Sequence, residues 1–156
     1  MASQIRAITS AMLSALRGID GTGAYHFDLS DAPTERVLGG FYPEAPLVPF
    51  VSIRDLAIRS TDENGVPLGL HRRFLDVTVV GMCGADTGDG FELLIRSTEL
   101  LADIDRALMG DRTLSGSCLD VRLRDTSALD GAELGLPGYG VAIAVYEVMW
   151  EAEKGV

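Results

Sequence analysis

An α+β domain is what this sequence predicts: a single mixed or antiparallel sheet with a long projecting hairpin, flanked by an N-terminal helix and one major helix. Three observations predict it. Residues 91–108 repeat apolar side chains at helical spacing, and residues 141–151 alternate as a strand with apolar side chains on both faces. Between two further strand-like runs stand Asn64 and Gly65, the dipeptide that a tight hairpin turn favours. The 156 residues suffice for one domain, 1–156, with a sizeable core.

Taken in order, Ser3 caps a helix over 3–17 whose stripe is Ile5, Ile8, Met12, Ala15 and Leu16, ended by Gly18. Residues 24–29 read as a short strand. The stretch 30–49 reads as irregular, punctuated by Pro33, Gly39, Gly40, Pro43, Pro46 and Pro49. Within it, Phe41 and Tyr42 either pack back onto their own domain or dock into a neighbour. The next strand, 50–59, places Val51 and Ile53 on one face and Leu56 and Ile58 on the other, which predicts a bulge or twist near Asp55.

Together with the strand that follows it, residues 54–82 form the expected hairpin. Arg54, Arg59, His71, Arg72 and Arg73 gather towards its outer half. In an acidic chain such a cluster is either a solvated rim or a surface complementary to an acidic partner.

The sequence GADTGDG at 84–90 has the outline of a phosphate-binding turn. It lacks the lysine and hydroxyl residue of such a loop, and Asp86 and Asp89 would repel phosphate. Thr87 or Asp89 is expected to cap the major helix instead. On that helix Phe91, Leu94, Ile95, Leu101 and Leu108 form a stripe, widened by Leu93, Leu100, Ile104 and Ala107. Only Glu92, Arg96, Glu99, Asp103 and Arg106 look suited to water. So broad an apolar arc needs two covering surfaces, the second being the N-terminal helix or another subunit.

Gly110 ends the helix. Residues 119–124 then alternate, with Leu119, Val121 and Leu123 inward; 127–139 reads as a flexible stretch and 141–151 as a central strand.

Charge and chemistry narrow the function. Thirteen basic and 23 acidic residues give a net charge of −10, which argues against a general nucleic-acid binder. Apolar residues make up 47% of the chain, yet no run approaches the ~18 apolar residues of a membrane span. The N-terminus lacks the uninterrupted apolar core of a signal peptide. Cys83 and Cys118 are expected as buried, reduced thiols, which fits synthesis in a cytoplasm.

His26 and His71 have no Cys, His or carboxylate partner at metal-ligand spacing, and Asp103 and Asp105 point away from each other on a helix. No GxSxG elbow is present. No catalytic residue, cofactor or metal is expected.

The segments AITSAMLSAL, PEAPLVPFVSI, RRFLDVTVVG, ELLADIDRALMGDRTL and GVAIAVYEVMWEAE follow one another in an order that resembles the tail terminator (tail completion) proteins of long-tailed bacteriophages and related gene-transfer particles. The resemblance is one of pattern and covers most of the chain except 30–49 and 127–139. It implies a structural subunit, made in the bacterial host cytoplasm, that forms a ring, usually a hexamer. The ring sits in the virion tail at the head-proximal end of the tail tube, stops tube polymerisation and meets the neck or head-closure protein. DNA passes through its lumen without specific binding, and no membrane is involved. Expected interface residues are Phe41, Tyr42, Arg59, Asn64, Gly65, His71, Arg72 and Arg73. Another neck or tail-tube subunit is the alternative, as is a small acidic ligand-binding domain or enzyme using the 84–90 loop.

Overall fold

In a computed structural model, residues 2–30, 36–40, 48–60, 70–84 and 89–153 are described. The chain builds a helix α1 (Ala2–Arg17), strands β1 (Val37–Gly39), β2 (Phe50–Ser60) and β3 (Leu70–Gly84), a helix α2 (Gly90–Met109), and strands β4 (Asp120–Asp130) and β5 (Tyr139–Glu153). The strands form one sheet in the order β1-β2-β3-β5-β4. Only β1 lies parallel to its neighbour; every other pairing is antiparallel. The fold is the expected α+β arrangement, and β2 and β3 are the two arms of the expected hairpin.

The bulge expected near Asp55 falls between Ile53 and Asp55. Its effect is specific. Val51 and Ile53 pair with Gly81 and Val79, while Leu56 and Ile58 pair with Val77 and Leu75. Directly opposed residues share a sheet face, so the extra residue returns all four aliphatic side chains to one side.

That side is the one the helices cover. Leu75, Val77, Val79 and Cys83 of β3 and Ala142, Ala144, Tyr146, Val148 and Trp150 of β5 are at most 2% exposed. Helix α2 lies over β3, β4 and β5, and α1 leans on α2 and β1. Ile8, Met12 and Leu16, one turn apart, are the buried stripe of α1. A Cβ at Gly81 would come within 2.7 Å of Leu100 Cδ2, and one at Gly140 within 2.6 Å of the Leu93 carbonyl oxygen. The absence of side chains at these two positions is what lets α2 press onto β3 and β5.

The stripe that α2 buries is not the expected one. Leu93, Ser97, Leu100, Asp103, Ile104 and Leu108 face inward, whereas Phe91 is 69% exposed, Leu94 39% and Ile95 37%. The helix is rolled about its axis relative to the expectation because two polar residues belong to the buried face. The Ser97 hydroxyl donates to the Leu94 carbonyl at 2.8 Å. Asp103 is bound by the loop after α1: the backbone N–H groups of His26 and Phe27 donate to it at 3.0 and 2.8 Å, and His26 Nδ1 lies 3.0 Å from its Oδ1.

The same contact explains why 24–29 is not a strand. Its alternating Phe27 and Leu29 do point inward, but the His26 and Phe27 N–H groups go to Asp103, and an isolated bridge links Asp20 to Asp28.

Two further expectations change. Of Leu119, Val121 and Leu123, only Val121 is buried; Leu119 and Leu123 are 45% and 39% exposed on an edge strand that α2 covers only in part. The stretch 127–139 is mostly ordered secondary structure. Ser127, Ala128, Leu129 and Asp130 continue β4 against β5. A 3-10 turn (Gly131–Leu134) follows, capped by the Asp130 side chain and closed by Gly135 in the left-handed conformation. Small and polar residues on an edge strand give no apolar alternation, so sequence patterning missed them.

Candidate assembly surface

The face of the sheet away from the helices has two regions. At the end nearer Gly84, Phe50, Met82 and Val141 form a small second core under Val48, Leu136 and Tyr139. Towards the hairpin's outer half, the face carries charges that cross four strands. Arg59 on β2 grips Asp76 on β3 with two hydrogen bonds, of 2.7 and 2.8 Å, and also donates to Glu147 on β5. Arg124, the residue left unpaired by the β4 bulge, stands 3.5 Å from Asp76 and 3.6 Å from Glu147. The Arg59 hydrogen bonds hold the Asp76 carboxyl below its usual range, against the opposing effect of burial, and raise the guanidinium correspondingly. Two cations meet two anions, so the network is close to neutral.

Arg59 is therefore engaged within its own chain, over the ring of Phe74 at 5.5 Å. The other expected interface residues are distributed as follows. Arg72 is exposed; Arg73 is half-buried on the helix side of the sheet, its Nε buried with no hydrogen-bond partner among the described residues. His71 pairs with Ala152 through the backbone. Phe41, Tyr42, Asn64 and Gly65 lie outside the described residues, as do Asp86 and Thr87. Asp89 is the residue that caps α2, accepting from the Phe91 N–H at 3.1 Å.

Two apolar patches that sequence reasoning turned inward or left unassigned are on the surface. Phe91, Leu94 and Ile95 occupy the outward side of the first two turns of α2. Leu134, 52% exposed, belongs to the 3-10 turn whose cap Asp130 abuts Gly90 at the start of α2. At the far end of the sheet, every residue of β2 from 54 to 58 is exposed, including Leu56 at 41% and Ile58 at 49%. The available signal for the first patch was the spacing 93, 97, 100, 104, 108, a continuous stripe once a small serine is admitted to it.

The thiols are chemically quiet. Burial pushes Cys83 and Cys118 up to about 11, and neither forms a disulfide. Among the described residues, no group of His, Cys, Asp and Glu side chains could hold a metal ion, and no helix is long and apolar enough to cross a membrane.

No family model matches the chain, and no curated protein matches it. Among solved structures, it is similar to a chain described as "Virion of native gene transfer agent (GTA) particle". The TM-score is 0.46 and the identity 11%, over 92% of this chain and 97% of that one. A likeness at that level establishes neither a shared family nor a shared role.

Proposed function

We propose that this chain is a structural subunit of a tailed-phage or gene-transfer particle, and within it the ring-forming terminator of the tail tube. The observation that carries the reading is the outward apolar face at the start of α2, where Phe91, Leu94 and Ile95 stand exposed in a lone chain. Large apolar side chains grouped on one surface mark a site of protein contact. The ordered sequence pattern supplies the kind of assembly: a ring, of six copies by resemblance, stacked on the tube and capped by the neck. The acidic balance of −10 suits a lumen along which DNA slides without adhering.

Tube growth tests this directly. Purified chain added to polymerising tail-tube protein is expected to bind one end of each tube and shorten the length distribution, seen by negative-stain electron microscopy. Tubes of unchanged length with no terminal density would refute the terminator role. Long tubes made by this chain alone would reassign it as a tube subunit.

A further inference from the structure

Granting that the chain assembles with itself, the geometry points to which surfaces meet. We propose that the acid-rimmed apolar end of α2 docks on the arginine-rimmed outer edge of β2 in a second copy. The first surface is Phe91, Leu94, Ile95 and Leu134, and its rim carries Glu92 and Glu133. The second is Leu56 and Ile58. Arg73 shares their sheet face two residues along β3 from Leu75, the partner of Ile58, while Arg72, next in the chain, stands exposed on the opposite face, level with Glu151.

Each surface is apolar at its centre, and the charge beside it differs in sign: Glu92 and Glu133 at the start of α2, Arg73 on the sheet face of Leu56 and Ile58. Such pairs attract in the right register and repel in the wrong one. Arg73 adds a reason of its own, because its buried Nε lacks a partner within the described chain. An acidic side chain from a neighbour would satisfy the guanidinium.

The two surfaces cannot meet within one molecule. Ile58 lies level with Leu75, whereas Gly90 abuts Asp130, which pairs with Gly140 and so lies level with Cys83. Eight residues of strand separate those levels, about 27 Å at the usual rise per residue. Two different patches at opposite ends of a sheet make a head-to-tail contact between copies. Head-to-tail contacts repeated with a closing rotation give rings.

A charge exchange tests the pairing. One variant carries Glu92→Arg and Glu133→Arg; the other carries Arg72→Glu and Arg73→Glu. Alone, each presents like charges at the contact. In near-physiological salt, light scattering is expected to show its mass falling several-fold towards the 16.6 kDa protomer. Mixed in equal amounts, every contact again joins opposite charges, so the mixture is expected to recover the wild-type mass, which also demonstrates that both variants are folded. Phe91→Asp, at a site too exposed to affect folding, is expected to lower the assembled mass independently. The proposal is overturned if the variants keep the wild-type mass, or if the mixture fails to recover it while Phe91→Asp assembles normally. Either outcome with a multimeric wild type leaves self-assembly standing and removes only this interface; a wild type that stays at one protomer removes self-assembly itself.

Discussion

Asp103 shows how one side chain reorganises its surroundings. It is 1% exposed on α2, and it binds the loop after α1 through two backbone N–H groups and the His26 ring. Arg96 reinforces the junction by lying 4.2 Å over the Phe27 ring. Removing the carboxylate leaves donors without an acceptor, so Asp103→Ala is expected to cost about 2–4 kcal/mol in denaturant unfolding. In the sequence Asp103 reads as a water-facing helix residue, because a loop 77 positions away in the chain leaves no local mark. Gly140→Ala is a second test at this scale. A methyl there meets the backbone of α2, which cannot rotate aside, and about 1–3 kcal/mol of destabilisation is expected.

Asp76 makes a pH prediction. Its folded carboxyl titrates below the unfolded value because Arg59 donates to it. The resulting stabilisation is fully present above the unfolded value of about 3.9 and is lost as pH falls through the lower folded one. Stability is therefore expected to drop on acidification below about pH 4, and less steeply in Asp76→Asn, as read by thermal unfolding across pH 2–6.

At the scale of elements, legibility in the sequence followed burial. Helix α1 and the long strands β3 and β5 were readable because each buries side chains at a fixed period, and the bulge in β2 because the aliphatic alternation of Val51 and Ile53 changes phase at Leu56 and Ile58. Short β1 and the outer part of β4 were not: β1 is three residues in a Pro/Gly-rich stretch, and of the end of β4 only Leu129 packs on the second core, too little to make a repeating pattern. The roll of α2 was misread for a related reason. Its apolar residues nearly encircle the helix, so composition left the inward direction open, and Ser97, Asp103 and the two bare positions Gly81 and Gly140 set it. Burial also controls the cysteines. With both thiols pushed up to about 11, alkylation by iodoacetamide at pH 8 is expected to be slow in the native chain and complete after denaturation. Rapid native labelling at either residue would contradict the packing around it.

For the whole molecule, the helices sheathe the middle of one sheet face and leave its margins uncovered. Leu56 and Ile58 lie at one margin, Leu119 and Leu123 at the other, and Phe91, Leu94 and Ile95 on the roof between helix and solvent. The sequence showed that α2 had more apolar surface than one sheet face needs, and the structure identifies which residues are the surplus. How copies meet was beyond single-chain patterning, since the two surfaces lie at opposite ends of the sheet, at levels about 27 Å apart along the strands.

Native mass measured by light scattering over a hundred-fold range of concentration tests the central claim most directly. Self-assembly predicts a mass several times 16.6 kDa that falls on dilution or on introducing Phe91→Asp. A constant 16.6 kDa at every concentration, unaltered by that substitution, would contradict it.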